Sequence, residues 1–401
     1  MFFNKEKIQY LAGSREIVFW GCSEDWVPKT QKILPQVSRI VDINKVLLKE
    51  SWRDLTVIDP SEIKEQQDNV FVVITTGSID SVVAHLLELG FIAERDFCYS
   101  PFFEDFSLAS KLTNLKTELI FTSSDYGTRE NVRGSSKGGG IYKLSIDGDE
   151  YTINTLISGS YRQAQFYSDR LYAIDYVKNE LQLFNTKLMM VESIKLSSRH
   201  YTGLSVSDSK LFLVSSANDI IEVYDRQTLE LLKQVPFSDK SFSDKGLHHL
   251  NDCYYDEGKL FFSYFSRSGA WRKEIFDGGI SFLDIESDEI VEVQSGLFQP
   301  HSPKIINDAL HFCESPKGKV YSSSWETIAQ TSGFVRGIAY QNGFYFIGQS
   351  ETLYMKRAKS VSNVMMNSGI YILEEQSKCM RFYPTFGIKN IHCVLSIPQG
   401  W

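Results

Sequence analysis

The stretch Gly246–Phe265, GLHHLNDCYYDEGKLFFSYF, constrains the fold more than any other. Polar residues run into an aromatic strand, through a turn at Gly258, and into a second strand, Lys259–Phe265. The same arrangement recurs at Ser160–Asp175 (SYRQAQFYSDRLYAID), Arg199–Ser215 (RHYTGLSVSDSKLFLVS), Pro300–Cys313 (PHSPKIINDALHFC) and Phe334–Gly348 (FVRGIAYQNGFYFIG). A third strand follows, and often a fourth, as in ELQLFN then VESIKL, IIEVYD then LLKQV, and GGISFLD then IVEVQ. Four-stranded units repeating every roughly 35 to 55 residues are the pattern of β-propeller blades. Five such units stand in tandem. A sixth closes from both ends: Glu118–Thr122, Gly140–Leu144 and Tyr151–Leu156 from the front, with Ile391–Ile397 (IHCVLSI) returning as the innermost strand. Closure of this kind hides both sheet edges. The expectation is six blades, with five or seven as the alternatives.

The first hundred residues follow a different rule. Ile17–Gly21 (IVFWG), Ser38–Ile43, Leu55–Ile58 and Val70–Thr75 read as strands. Helical patterns at Lys29–Leu34, at PSEIKE after Asp59 and at Ser78–Gly90 separate them. Strands alternating with helices predict a parallel sheet with right-handed crossovers. The fold class is therefore α/β plus all-β: a small Rossmann-like domain over residues 1–110, then a six-bladed propeller over 111–401. At 401 residues the chain is long enough for both, and its 13% aromatic content suits strands.

IVFWG, VDI, TVIDPSEI and VFVVITTGSIDSVVAHLLELGFIAERDF resemble the small Rossmann-like domain of sugar-modifying proteins in bacterial glycan pathways, from about Ile17 to Pro101. That resemblance implies a glycine-rich turn after the first strand, where backbone N–H groups approach a phosphate. Here the turn reads Gly21-Cys22-Ser23-Glu24-Asp25-Trp26, with one glycine and two carboxylates that repel a pyrophosphate. A degenerate nucleotide site, serving docking or packing, is expected. The HxLND start, the PHSP segment and the run at Gly333–Glu351 make Thr117–Gln399 similar to an uncharacterised bacterial propeller family, DUF4915. The resemblance implies a fold and brings no activity with it. LNDCYYDEGKLFFSYF is also similar to the Asn-Asp strand of calcium-binding lactonase propellers.

In a propeller the first strand of each blade lines the central channel, so its opening residues crowd round one mouth. The repeats align Arg162, His200, Asn251, His301 and Arg336 there, with His392 added by the returning strand. Gln163, Tyr201, Asp252 and Ser302 are neighbours, and His248 and His249 lie just outside. Converging imidazoles bind a divalent transition metal or act as general acid and base. Two guanidiniums clamp a carboxylate or phosphate.

The candidate catalytic residues are His249, His301, His200 and Asp252, with His249 and His301 also candidate metal ligands. The candidate substrate contacts are Arg162, Arg336, Asn251, Tyr201, Gln163, His392 and Glu351. Each also has a plain structural reading: Asn251-Asp252 capping a turn, or Arg336 pairing with Asp252. His85, His311, Cys253 and Cys313 read as structural. Ser124–Gly140, Ser266–Asp277 and Tyr354–Asn363 read as loops over the mouth, with Arg129, Arg133, Arg267 and Arg272 as further contacts. The pattern predicts a lyase, hydrolase or isomerase acting on an anionic, sugar-like small molecule, with a divalent metal as the candidate cofactor. The rival is a non-catalytic propeller binding a glycan, peptide or protein; a third reading makes the N-terminal domain the active part.

A net charge of −8 argues against a nucleic-acid or anionic-membrane partner. The six cysteines form no CxxC and sit in apolar runs, as thiols in a reducing compartment do. The N-terminal segment lacks a signal-peptide core, and no apolar run approaches the ~20 residues of a membrane span. A cytoplasmic protein is expected.

Overall fold

The computed structural model describes residues 1–44, 51–103, 111–124, 138–351 and 363–401. The chain divides into two units, Met1–Lys111 and Leu112–Trp401. The first holds a six-stranded sheet in the order Ser51–Trp52, Leu55–Ile58, Arg39–Val41, Glu16–Trp20, Val70–Ile74, Phe97–Tyr99. All neighbours are parallel except the first pair. Val70–Ile74 is buried along its whole length because both faces are covered. Phe19, Ile40, Phe71 and Val73 form one core; Val18, Val72, Ile74 and Leu86 belong to the other.

Three features differ from the sequence reading. Phe97–Tyr99 and Ser51–Trp52 extend the sheet at either edge, and helix Lys5–Ala12 precedes it. PSEIKE makes only a single 3₁₀ turn, Pro60–Glu62, where the Asp59 side chain accepts from Ser61 N and Glu62 accepts from Asp59 N. The turn after the first strand is closed by the protein's own groups. Gly21 has φ +103°, and a Cβ there would meet the Thr76 side chain at 2.3 Å. Cys22 N donates to Asp42 Oδ2 at 2.9 Å, and Trp26 packs edge-on against Phe103.

The second unit contains six four-stranded antiparallel sheets, the six blades expected. From inside outwards, blade 1 is Tyr161–Tyr167, Arg170–Asp175, Glu180–Asn185 and Met190–Lys195. The innermost strands of blades 2 to 5 are Tyr201–Val206, Leu250–Asp256, Pro300–Ile306 and Phe334–Gln341. Blade 6 takes Cys393–Ser396 as its innermost strand, against Lys116–Ser123, Gly140–Asp147 and Glu150–Ser158. The returning strand pairs Cys393 with Thr122 and Ser396 with Leu119.

Each tandem blade carries the same irregularity at the same place. Pairing of the innermost strand breaks between Tyr161 and Ala164, Tyr201 and Gly203, Leu250 and Cys253, His301 and Lys304, and Val335 and Ile338. Such bulges re-aim side chains. They fall on Arg162-Gln163, Thr202, Asn251-Asp252, Ser302-Pro303 and Arg336-Gly337, which take in Arg162, Gln163, Asn251, Asp252, Ser302 and Arg336 of the polar openings noted in the sequence, but not His200 or His301. Close approach of neighbouring strands sets two glycines. A Cβ on Gly203 would meet Asn251 O at 2.7 Å, and one on Gly337 (φ +80°) would meet Val394 N at 2.9 Å.

Several polar side chains buried between strands are paired in a recurring style. The fully buried Glu222 carboxylate accepts from Tyr201 and Tyr224 through one oxygen, and from Ser197 and Gln234 through the other. Tyr264 donates likewise to Glu292, and Tyr161 to Gln182. All six cysteines are free thiols. No helix among the described residues is long and apolar enough to cross a membrane.

Candidate functional site

The mouth is built from two tiers. The residue just before the innermost strand is His200 in blade 2, His249 in blade 3, Gln299 in blade 4 and His392 in blade 6. His200, His249 and Gln299 share a left-handed backbone, with φ of +56°, +54° and +50°. The second tier is the residue just after the second strand, which antiparallel pairing sets beside the first: Tyr176, Ser216, Phe265 and Glu351. All of these line one cavity of about 350 Å³, together with Arg162, Asn251, His301, Phe334, Arg336 and Asn390. Four of the chain's seven histidines therefore meet at one opening.

Cations dominate the rim. Arg162, Arg199, Lys245, Arg272 and Arg336 face Asp244 and Glu351. Asp244 is taken by Arg199, and Glu351 pairs with Lys389 at 3.3 Å. The Arg162 guanidinium lies 3.8 Å over the Tyr176 ring, and its Nε is buried with no hydrogen-bond partner among the described residues. Arg336 is oriented by its neighbours: Nε donates to Ile391 O at 2.7 Å, and Nη2 donates to Asn390 Oδ1 at 3.3 Å. Aromatic rings supply flat walls. His249 packs against Phe265 and Trp271 at 4.5 and 4.6 Å.

The histidines are not equivalent chemically. His301 is 4% exposed, and burial, with the nearby Arg336 charge, holds it well below the ordinary imidazole value. Its Nδ1 lies 2.7 Å from Ser315 Oγ and 3.1 Å from Gln299 O; its Nε2 lies 3.3 Å from Asn251 Nδ2. A neutral ring donating from Nδ1 to the carbonyl and accepting the amide at Nε2 satisfies this set. His200 is also lowered, by partial burial and then by Arg162 and Arg199. His392 Nε2 contacts Ser124 Oγ at 2.6 Å.

His301 imposes a pH dependence on folding. The unfolded chain takes up a proton below about pH 6.5 that the folded ring refuses, so stability falls as the pH drops. One such group contributes a slope of about 1.4 kcal/mol per pH unit between its folded and unfolded values. His301→Gln is expected to be less stable at pH 7 but to lose that share of the slope. Urea titrations at pH 7.5, 6.5 and 5.5 read both; an unchanged slope would contradict the buried neutral ring.

Other sequence candidates are placed elsewhere. Tyr201 does not line the mouth: its hydroxyl donates to Glu222. Gln163 and Asp252 lie one step further along the channel, where they bind one another. Asp252 accepts from Gln163 Nε2 (2.8 Å), Ser302 N (2.8 Å) and Ser302 Oγ (3.0 Å), and Gly337 N donates to Ser302 Oγ (2.7 Å). Blades 1, 3, 4 and 5 are thus stitched across the axis. Burial raises the Asp252 pKa, opposed by the Ser302 hydrogen bonds and by Arg336.

Asp252→Ala leaves these donors unpaired and is expected to cost about 2–4 kcal/mol. Asp252→Asn is expected to cost about 1 kcal/mol, since Gln163 can turn its amide to restore the pair. Thermal melts and a turnover assay on both variants separate a clamp from an acid/base role: an inactive but fully stable Asp252→Asn would favour the latter.

Of the loop candidates, Arg272 lines the mouth, whereas Arg267 lies over Phe237. Arg129 and Arg133, with residues 125–137 and 352–362 of the other two loops, lie outside the described residues. His248 is structural, held between Ser238 Oγ and Ser266 O, and His311 contacts Tyr345. Among the described residues no group of three or more His, Cys, Asp or Glu is placed to hold a metal, so His249 and His301 have no third donor there. Sequence reasoning missed Gln299, Tyr176, Phe265, Trp271, Phe334 and Lys245. The first three sit at repeat positions and were recoverable from strand ends alone.

Fold and mouth define a six-bladed propeller with a cationic, histidine-rimmed cavity on its axis. Residues 200–380, which span blades 2 to 4 and most of blade 5, match the family described as "Domain of unknown function (DUF4915)". No curated protein matches the sequence. Among solved structures, a chain of the nidogen/laminin complex is 10% identical, with 69% of this chain and 97% of that one covered and a TM-score of 0.49. The calcium-binding protein regucalcin from Agrobacterium tumefaciens is 13% identical over 55% and 72%, with a TM-score of 0.41. A luciferin-regenerating enzyme is 12% identical over 59% and 76%, with a TM-score of 0.39.

Proposed function

We propose that the propeller is an enzyme of the lyase, hydrolase or isomerase class, acting at this mouth on an anionic, sugar-like small molecule of a glycan or related pathway. The observation that carries the reading is the buried Arg162 Nε without a partner among the described residues, beside Tyr176 and in one cavity with the fixed Arg336. A buried donor left unpaired is costly, and a ligand oxyanion removes that cost. Aromatic walls suit the apolar face of a sugar ring. His249 lines the same space and is the candidate proton carrier, with His301 neutral behind it.

The test is calorimetric titration with glucuronate and glucose 6-phosphate against neutral glucose, followed by product analysis of whichever binds. Binding of an anion but not of glucose supports the reading; binding of neither anion overturns it. One observation favours the non-catalytic alternative: the mouth's carboxylates Asp244 and Glu351 are paired with Arg199 and Lys389, and Asp252 further along the channel has both oxygens occupied. Tight anion binding with no chemical change would decide for that alternative.

A further inference from the structure

On the other side of the Asp252 clamp, whose Gln163, Asp252 and Ser302 also line it, lies a second chamber of about 310 Å³. It is lined by residues further along the innermost strands, among them Phe166, Tyr254, Lys304, Val394 and Ser396. Lys304, half-buried, is unusual there. Its Nζ makes one hydrogen bond, to Ile338 O at 3.3 Å, and lies 5.8 Å from the Tyr254 ring. Among the described residues no carboxylate forms an ion pair with it. An ammonium group carries three N–H donors and is costly to bury without a counter-charge. A neutral amine has two donors and a lone pair, which this surrounding suits better. Burial lowers the Lys304 pKa, in the direction that frees the amine.

A second group in the chamber is also unsatisfied. Ser396 Oγ is buried with no hydrogen-bond partner among the described residues. The competing nucleophiles are quiet: burial pushes the Cys393 thiol up to about 11 and raises the Cys253 thiol well above its ordinary value.

We propose that this chamber is a second site, in which Lys304 is a nucleophilic amine that captures a small aldehyde or ketone as an imine. The Nζ lone pair attacks the carbonyl carbon, and the C=O π pair moves to oxygen, which takes up a proton with Ser396 as hydrogen-bond donor. The carbinolamine then loses one water as C=N forms, so the step needs no oxidant or reductant. The site shares only His392 with the lining of the mouth and stands whether or not the mouth is catalytic.

The test is reductive trapping on the intact, folded protein. Glycolaldehyde or pyruvate is added with cyanoborohydride at pH 7, and modified lysines are mapped by peptide mass spectrometry. Lys304 is expected to be modified several-fold faster than the exposed Lys116 and Lys195, and the excess should vanish in the denatured chain. Lys304→Arg should lose that adduct alone, with an unchanged melting temperature as the folding control. Labelling of Lys304 no faster than the exposed lysines would overturn the proposal. So would acetate binding in the chamber, seen by calorimetry as lost in Lys304→Met, without any trapped adduct; that result would make it an anion site.

Discussion

Deleting residues 391–401 is expected to abolish cooperative folding of the propeller. The segment contributes Cys393–Ser396, the innermost strand of blade 6, and with it the ladder to Lys116–Ser123. Ile391, Val394 and Leu395 are 0%, 1% and 9% exposed. At about 1.5–3 kcal/mol per fully buried aliphatic side chain, these three alone account for roughly 4.5–9 kcal/mol. A domain's whole stability is typically about 5–15 kcal/mol. The loss also uncovers an apolar edge and removes Ile391 O, the acceptor that orients Arg336.

Calorimetry should show no sharp transition in the truncated chain, and near-UV circular dichroism should be flat. The control is a permuted propeller. Ser396 pairs antiparallel with Leu119, so a short hairpin loop can join the returning strand to the front of Lys116–Ser123. Folding restored by that connection would show that the ring needs the strand, not the chain order. A truncated chain that melts as sharply as the full one would contradict the closure.

The second large effect concerns the mouth. Arg162→Met keeps apolar volume over Tyr176 but removes the guanidinium. Loss of a charged hydrogen-bond partner is worth about 1.5–3 kcal/mol, so affinity for an anionic sugar should fall roughly 10- to 150-fold. Arg162 Nε has no partner among the described residues, so little of that loss should be offset by new internal bonds. Stability should change little, and any weak binding of neutral glucose should be untouched. Arg336→Met is a less clean probe, because Arg336 also ties blade 5 to the segment leading into blade 6 through Ile391 and Asn390. Unchanged anion affinity in Arg162→Met, measured by titration calorimetry, would remove the cationic wall from the recognition argument.

Much of the architecture was legible because a propeller writes its unit repeatedly. Five spaced openings and a returning IHCVLSI strand were enough for six blades and their closure. The N-terminal sheet was harder at its margins: Phe97–Tyr99 and Ser51–Trp52 are too short to carry a period, and PSEIKE holds helix-start residues with one turn of helix behind them. At the mouth, residue type was readable and register was not. His200 aligns with Arg162 in sequence, yet the bulge puts Thr202 at that position and His200 in the tier before it. Asp252 looked like a reactive carboxylate; only pairing across the axis reveals that Gln163 and Ser302 already occupy it. Contacts between blades leave no local signal in a chain.

The seam in blade 6 also bears on biosynthesis. Cys393 N donates to a residue 271 positions earlier, Thr122. While a ribosome is translating the five intervening blades, Lys116–Ser123 waits without its inner neighbour. Such long-range pairing is slow and leaves an adhesive edge open to other chains. Yield in a heterologous host is therefore expected to track translation speed through residues 160–390.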